Sequence, residues 1–298
     1  MTGASTHVDA SDLDVLVPTC DRPAALAVTL AGLVGQAERG FRVVVSDQGD
    51  AVAADDPLVR AVTAVLRRRG VLVEHGRHLP RAGMAEHRRH LLAQARAPWV
   101  LFLDDDVLLE PGALTALLDA AGTLRCGVLG MAMQGWSFLD DVRPQEQSAF
   151  EPWPDDGPVQ PERVRAGDPA WERWRLHNAA NLSHVADRLG AEGRAPVRGW
   201  LPYRVAWLAG CVLLRRDVLV EVGGFDFADR LPPQHGGEDV VVQLRVAERA
   251  GAAGLLPSRA WHLELPTRVP DRRADAYALV LEADDQAGPD DDGAGVPR

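Results

Sequence analysis

The stretch Pro98-Trp-Val-Leu-Phe-Leu103-Asp104-Asp105-Asp106 joins an unbroken apolar run to three adjacent carboxylates. A continuous run of this kind is typical of a strand that is buried on both faces of a parallel sheet. Open α/β sheets bind their ligands at the carboxyl ends of such strands. Three like charges at one point are costly unless a cation joins them, so the triplet predicts a divalent-metal site. A solvated turn that caps the following helix is the alternative interpretation.

Strand-like and helix-like segments alternate on both sides of this run. The predicted strands are Asp14–Pro18, Arg42–Asp47, Val71–Glu74, Trp99–Leu103 and Gly127–Met133, and the predicted helices lie near Pro23–Arg39, Pro57–Arg69, Gly83–Arg96 and Pro111–Ala121. Alternation at this spacing indicates an α/β fold, in which a mostly parallel central sheet carries helices on both faces.

The pattern changes after the fifth predicted strand. Residues 134–204 are rich in Pro, Trp, Arg and Asp and show little periodicity, although a helix is expected within Pro169–Leu189. Such segments in α/β domains are usually insertions that carry specificity. Regular structure is expected to resume with Ala206–Leu214, helices near Arg216–Val222 and Asp239–Ala250, and the strand-like Ala260–Leu265. Residues 1–11 are predicted to be flexible, and the composition of residues 282–298 predicts a disordered acidic tail.

The composition excludes several classes of protein. All 32 basic residues are arginine, which excludes a P-loop lysine and a Schiff-base lysine. The net charge of -11 argues against a general nucleic-acid-binding protein. Three widely spaced cysteines suit reduced thiols in a cytoplasmic protein. We expect no transmembrane segment, because no apolar run reaches about 18 residues. Peripheral membrane association stays open.

Four further motifs accompany the carboxylate triplet. In chain order they are Val15-Leu-Val-Pro18-Thr19-Cys-Asp21-Arg22-Pro23, Val43-Val-Val-Ser-Asp47-Gln-Gly49-Asp50, Arg81-Ala-Gly83-Met-Ala-Glu-His-Arg88-Arg89, and the block from Trp207 to Asp226 with Gly236-Gly237-Glu238-Asp239 after it. Together with the triplet, this ordered set resembles the family 2 glycosyltransferases of the GT-A fold, from about Asp14 to His262. The resemblance implies one Rossmann-like domain over residues 12–281. Its nucleotide-sugar-binding part would be residues 12–133, and its acceptor-side insertion and acceptor-binding part residues 134–281.

The resemblance implies a set of donor-binding residues. Those expected at the nucleotide sugar are Pro18, Thr19, Asp21, Arg22, Asp47, Arg88, Asp104 and Asp105. Asp47 would contact the nucleoside, while Gln48 and Asp50 depart from the family pattern. The start of the helix before Arg88, together with its guanidinium, would hold the diphosphate, because the helix dipole and the arginine both favour anions. Arg89 stands where the family usually has Asn, so either Arg88 or Arg89 could bind the diphosphate.

The resemblance also implies a metal cofactor, Mn²⁺ or Mg²⁺. Asp106 would bind the metal directly, and Asp104 and His262 are the other candidate ligands. Such an ion neutralises the charge that develops on a departing nucleoside diphosphate. For His262, which follows Trp261, a packed and hydrogen-bonded side chain is the alternative interpretation.

The acidic pair matches the family's acceptor side. Asp239 would be the catalytic base and Glu238 would orient the acceptor or its loop, whereas simple N-capping is the alternative. Trp136, Trp207 and His177 are further acceptor-side candidates, although aromatic residues also fill irregular cores.

These observations predict a metal-dependent transferase that moves a sugar, with a UDP-sugar as the expected donor, to a hydroxyl acceptor of unknown class. Inversion at the anomeric carbon is implied by the resemblance alone. Two alternatives stay open. One is a non-catalytic domain that binds nucleotide sugars. The other is a sugar nucleotidyltransferase, although the glycine-rich loop with a basic residue that those enzymes carry is missing after Pro18-Thr19-Cys20.

Overall fold

An eight-stranded mixed sheet, in the order β3-β2-β1-β4-β9-β6-β10-β8, forms the centre of the computed structural model, which describes residues 7–154 and 157–287. A second sheet has the order β5-β11-β7. The strands are β1 Leu13–Thr19, β2 Arg42–Asp47, β3 Leu72–Arg77, β4 Trp99–Leu103, β5 Val107–Leu109, β6 Val128–Gly130, β7 Gln134–Gly135, β8 Leu201–Tyr203, β9 Cys211–Arg215, β10 Ala252–Leu256 and β11 Ala260–His262.

Helices cover both faces of the large sheet, which confirms the predicted fold class. The α-helices are α1 Pro23–Val34, α2 Pro57–Arg68, α3 Met84–Gln94, α4 Ala113–Leu124, α5 Pro144–Gln147, α6 Asn181–Ala191, α7 Arg216–Glu221, α8 Glu238–Ala250 and α9 Ala283–Ala287. Successive residues of the central strands alternate between two hydrophobic cores. Leu101 and Leu103 point into one core, and Val100 and Phe102 into the other. Because both faces of β4 are buried, its sequence is apolar throughout.

The strand directions bring the polar ends of the motifs together. β3, β2, β1 and β4 are parallel, so the residues that follow β1, β2 and β4 lie at one edge of the sheet. β9 runs antiparallel to β4, with Cys211 opposite Leu103, and the amide of Asp104 donates to the carbonyl of Gly210. The block from Trp207 to Asp226 therefore passes beside the carboxylate triplet.

The small sheet places His262 beside that triplet. β11 pairs with β5 so that His262 lies opposite Val107, the residue after Asp106. The amide of Leu263 donates to the carbonyl of Asp106. These backbone contacts hold the imidazole of a distant segment next to the carboxylates.

Several element boundaries differ from the prediction. The helix expected to reach Arg39 ends at Val34, and strands β5, β7, β8 and β10 were not predicted. The predicted strand Gly127–Met133 is reduced to Val128–Gly130. The helix expected within Pro169–Leu189 is instead a 3₁₀ helix over Pro169–His177 followed by α6. The two are separated at Ala179, whose φ of 49° cannot continue a right-handed helix.

The acidic tail, predicted to be disordered from Glu282, is helical through Ala287. A π-helical segment, Tyr277–Glu282, continues into α9. Asp284 pairs with Arg230 and Arg245, and Asp285 pairs with Arg163 and Arg165. These ion pairs fix Asp284 and Asp285, whereas the composition of the segment predicts that such carboxylates are solvated and disordered. At the chain start, Ala10–Asp12 forms a 3₁₀ helix. The rest of the two predicted flexible ends, residues 1–6 and 288–298, lies outside the described residues.

The helices of the described ranges are all too short or too polar to cross a lipid bilayer.

A buried ion pair joins the first half of the sheet to its helices. Asp14 on β1 accepts hydrogen bonds from Nε and Nη2 of Arg42 at 2.9 and 2.7 Å. It also accepts from the amides of Arg96 and Ala97, between α3 and β4. Burial opposes ionisation of Asp14, but these hydrogen bonds outweigh it and lower its pKa.

Replacing Asp14 by Asn should destabilise the protein, because it removes the buried charge that compensates Arg42 and leaves the partly exposed Glu74 as its ionic partner. We expect a loss of about 3–5 kcal/mol in the free energy of unfolding, measured by urea denaturation. Asp217→Asn is the control, since its pair with Arg215 is at the surface and exposed pairs contribute about 0–1 kcal/mol. Equal effects of the two substitutions would contradict the structural role of the buried pair.

Candidate active site

A cavity of about 610 Å³ lies at the edge of the sheet where the motifs meet. Its walls come from the segments around residues 18–22, 81–88, 104–106, 233–239 and 262–272, with Gln48, Met133 and Ala209 between them. Both predicted acidic groups, the triplet Asp104–Asp106 and the pair Glu238–Asp239, line this one cavity. The structure therefore brings together motifs that are about 130 residues apart in the chain.

Asp106 lies between the guanidinium of Arg22 and the imidazole of His262. One of its carboxylate oxygens is 2.6 Å from Nη1 of Arg22 and 3.4 Å from Nε2 of His262. Burial opposes ionisation of Asp106, but the contacts with His262 and Arg22 outweigh it and lower its pKa. The contact with Asp106 in turn raises the pKa of His262. This arrangement favours a charged carboxylate at Asp106.

Asp105 and Asp104 have different partners. Asp105 accepts a hydrogen bond from the hydroxyl of Thr19 at 2.6 Å and lies 3.4 Å from Arg22. Burial raises the pKa of Asp105 to about 6, against the opposing effect of Thr19. Asp104 accepts a hydrogen bond from Nη2 of Arg88 at 3.0 Å. Each carboxylate of the triplet thus contacts at least one cation or hydrogen-bond donor from another motif.

Arg88 links the triplet to the acidic pair. Its guanidinium is buried, and its Nε lies 3.3 Å from Oε1 of Glu238 while Nη2 contacts Asp104. The same guanidinium lies over the ring of Phe102, 5.7 Å from the centroid. Arg89 instead pairs with Asp229 away from the cavity. The structure thus distinguishes the two arginines of this motif, and only Arg88 is at the site.

The acidic pair begins α8 after a glycine N-cap. Gly237 has a φ of 80° and no side chain to cap the helix, and Glu238 points to Arg88 rather than back to the helix start. Burial, aided by the neighbouring charge of Asp239, raises the pKa of Glu238 to about 7, while Arg88 opposes the shift. Asp239 lines the cavity, and within the described residues its carboxylate accepts a hydrogen bond only from its own neighbour, the amide of Val240.

Two of the predicted donor-side residues do not line the cavity. Both carboxylate oxygens of Asp47 accept backbone hydrogen bonds, from the amides of Gly49 and Ala53. Asp21, with a φ of 54°, accepts from the amide of Asp50 and from Arg81. These aspartates shape the loops after β1 and β2. The carboxylate of Asp47 is thus engaged by its own loop, and its contact with a nucleoside stays a prediction.

Several residues at the cavity were missed as candidates, among them Gln48, Arg81, Arg268 and Arg272. Gln48 and Arg81 line it near β2, where the Arg81 side chain donates to the carbonyl of Gln48 at 2.6 Å. The exposed Arg268 and Arg272 line it from the segment after β11. Gln48 and Arg81 lie inside two of the sequence motifs. Both motifs depart from the family pattern, and such a departure could have marked these residues as candidates. The segment around Arg268 has no periodicity that predicts its position.

The three aromatic acceptor-side candidates lie outside the cavity lining. His177 is 3.2 Å from the hydroxyl of Tyr203, which fits a packed, hydrogen-bonded histidine. Trp207 packs against Trp171, with ring centroids 4.7 Å apart. Trp136 is 54% exposed and stacks on Trp261, the neighbour of His262.

The raised pKa of Glu238 predicts a specific dependence of stability on pH. The folded protein retains this proton up to about pH 7, whereas an unfolded Glu releases it near 4.5. The neutral form therefore stabilises the fold fully below pH 4.5, and the contribution is lost as pH rises to about 7. Relative to Glu238→Gln, the wild type should lose about 1–3 kcal/mol of unfolding free energy over this interval.

Urea denaturation at several pH values measures this difference. Glu248→Gln is the control, because Glu248 lies on the same helix and pairs with arginines at the surface. Its pH profile should stay parallel to that of the wild type. A Glu238→Gln profile that is also parallel would show that burial of Glu238 does not shift its pKa.

Comparison with solved structures supports the fold. The crystal structure of S. aureus TarS 1-349 has a TM-score of 0.53 and 17% identity, covering 91% of this chain and 62% of that one. The same protein in complex with UDP-GlcNAc has a TM-score of 0.51 and 16% identity, with 86% and 60% covered. GalNAc-T7 with UDP, GalNAc and Mn²⁺ has a TM-score of 0.52 and 14% identity, with 87% and 45% covered. The chain thus spans less than two thirds of these relatives' length.

Sequence comparison identifies the family. None of the curated proteins matches the chain. The family model described as Glycosyl transferase family 2 matches residues 14–179, which is more than half of the chain. This match covers the motifs around β1, β2, α3 and the carboxylate triplet, and the structural relatives have the GT-A fold. The chain therefore belongs to glycosyl transferase family 2.

Proposed function

We propose that this protein transfers a sugar from a nucleoside-diphosphate donor, with UDP as the expected nucleotide, to a hydroxyl acceptor. The observation that carries the proposal is the convergence of Asp104–Asp106 and Glu238–Asp239 on one cavity, joined by Arg88. Family membership supports it, as do the UDP-GlcNAc complex of TarS and the UDP complex of GalNAc-T7. The division of residues 12–281 into a donor part and an acceptor part belongs to the same proposal.

The donor would lie along the edge formed by the ends of β1 and β4. Pro18, Thr19 and Arg22 line this side of the cavity together with the triplet. Arg268 and Arg272 line the same space, and their guanidinium groups donate hydrogen bonds to neutral backbone and hydroxyl oxygens. A diphosphate would supply the negative charge that these guanidinium groups favour. Asp104 and Asp105, beside the metal-binding position, would contact the ribose and the sugar.

The side chains at the triplet fit a divalent cation in their chemistry. No three His, Cys, Asp or Glu side chains of the described ranges form a complete cation site. Mg²⁺ sites, however, commonly use one or two carboxylates and complete the shell with substrate phosphates and water. Asp106 and His262 would be the protein ligands, with Asp104 as a further oxygen donor. Bound Mn²⁺ or Mg²⁺ would neutralise charge on the departing nucleoside diphosphate.

Asp239 would act as the general base. Its carboxylate would accept the proton of the acceptor hydroxyl as that oxygen forms a bond to the anomeric carbon. The bond from the anomeric carbon to the diphosphate oxygen breaks, and the nucleoside diphosphate leaves with that electron pair. Attack from the face opposite the leaving group would invert the configuration. Glu238, held by Arg88, would orient the loop that carries the base.

Titration of the protein with UDP, GDP and dTDP, each with and without Mn²⁺, tests the donor assignment. We expect calorimetry to show metal-dependent binding of one nucleotide, and we expect Asp106→Ala to lose it. Asp239→Asn should retain that binding and lower the transfer rate by about 10²–10⁴-fold, as expected for a general base. Binding without transfer in the wild type, across a broad acceptor panel, would favour a non-catalytic binding domain. Absence of any nucleotide binding would overturn the proposal.

Arg22 should compete with the metal for Asp106. Arg22→Gln removes the positive charge 2.6 Å from that carboxylate. Two unit charges about 4 Å apart interact with about 1 kcal/mol in water and about 4 kcal/mol near a protein surface. We therefore expect the variant to bind Mn²⁺ several-fold more tightly without nucleotide, measured by electron paramagnetic resonance of free Mn²⁺. Arg81→Gln is the control, because Arg81 pairs with Asp21 and Asp50 instead. Unchanged or weaker Mn²⁺ binding by Arg22→Gln would contradict this prediction.

A further inference from the structure

The first turn of α3 lacks a capping group of its own. Its N-cap is Gly83, which has no side chain to accept from the free amides at the helix start. The amide of Ala85, a fully buried residue, instead donates to Nε2 of His235 at 3.1 Å. The capping acceptor therefore comes from a segment 150 residues away in the chain. The sequence analysis expected the start of this helix to bind the diphosphate, but the amide of Ala85 is already bonded to His235.

Both nitrogens of the His235 ring have partners. Nδ1 lies 2.6 Å from the carbonyl of Pro232, so it carries the proton and donates. Nε2 is then the unprotonated acceptor that the amide of Ala85 requires. The side chain is 2% exposed. His235 is thus held in one orientation, as a neutral imidazole, between its own loop and α3.

The position of the ring depends on Gly83. A Cβ at residue 83 would lie 2.7 Å from Cε1 of His235 and 2.9 Å from the carbonyl oxygen of Pro233. Gly83 also has a φ of 105°, which side chains with a Cβ rarely adopt. The glycine that leads this motif therefore provides the space in which the imidazole reaches the helix.

His235 and Glu238 contact α3 at positions with the same three-residue spacing. Ala85 and Arg88 are three residues apart on α3, so they lie on one face of the helix. They contact His235 and Glu238, which are also three residues apart. On the other side of this loop, the amide of Gly236 donates to the carbonyl of Ala274. The segment that precedes Asp239 is thus fixed from both sides.

We propose that His235 is a positioning residue for the transfer reaction. Its imidazole caps α3 and thereby fixes the loop that carries Asp239 relative to the donor side of the cavity. This inference rests on the proposed role of Asp239 as the base. A displacement of about 1 Å at a reacting group can lower a rate by about 100-fold. Loss of the cap should therefore lower turnover without an equal loss of nucleotide affinity.

The test compares His235→Phe, which removes both hydrogen bonds, with His235→Gln, which keeps an acceptor for the amide of Ala85. We expect His235→Phe to lower kcat about 10- to 100-fold at saturating acceptor, with the dissociation constant of the nucleotide changed by less than about threefold. His235→Gln should recover part of kcat. His90→Phe is the control, because His90 lies on α3 outside the cavity and its stacking on His78 is possible for a phenyl ring.

Hydrogen exchange of the Ala85 amide, followed by NMR, tests the cap independently of activity. We expect faster exchange in His235→Phe than in the wild type, His235→Gln or His90→Phe. If the wild type transfers no sugar, the proposed function fails while this measurement still decides whether the cap exists. Unchanged Ala85 exchange in His235→Phe overturns the inference. Loss of kcat and nucleotide affinity by the same factor also overturns it.

A second pair of variants covers the case in which His235→Phe does not fold. Gly83→Ala places a methyl group against the imidazole, whereas Gly70→Ala has a similar φ of 85° and open space around the new Cβ. Both substitutions place a Cβ at a positive φ, which strains the backbone. A lower kcat and faster Ala85 exchange in Gly83→Ala alone would support the inference, and equal effects of the two would contradict it.

Discussion

The contacts of Arg88 with Asp104 and Glu238 connect the two halves of the candidate site. Its guanidinium is buried, so its charge needs compensation, and the compensating carboxylates come from β4 and from α8. Removing either carboxylate would leave a buried cation with one partner, which is a costly state. The distance between the carboxylate triplet and the acidic pair is therefore fixed by an electrostatic requirement as well as by packing.

The same requirement explains the protonation states around the cavity. Five carboxylates, Asp104, Asp105, Asp106, Glu238 and Asp239, line one space with Arg22, Arg88 and His262. The contacts with His262 and Arg22 outweigh burial and lower the pKa of Asp106, whereas burial raises the pKa of Asp104, Asp105 and Glu238 despite their arginine neighbours. Protons and arginines thus balance charge that a metal ion and a diphosphate would rearrange on binding. The site is organised for exchange of ionic partners.

The sequence predicted the parts of the fold that depend on local pattern. The runs of β1, β2 and β4 are apolar because both faces of each strand are buried, and their polar ends marked the site. Strand β10, Ala252–Leu256, was missed because its sequence Ala-Ala-Gly-Leu-Leu has no β-branched or aromatic residue that would indicate a strand. The roles of Asp47 and His235 depend on contacts with amides, one beyond the strand end and one 150 residues away. No periodicity encodes such contacts, so they became visible only in three dimensions.

The position of β9 has a consequence for how this protein can change over evolution. β9 belongs to the second part of the chain, yet it lies between β4 and β6 of the first part and pairs with both. Strands from both parts of the chain therefore form one continuous sheet. The second part could not be exchanged between relatives as an independent module, because its removal would separate β6 from β4. Under the proposed function, new acceptor preferences would have to arise within residues 134–204, in a framework that both parts build together.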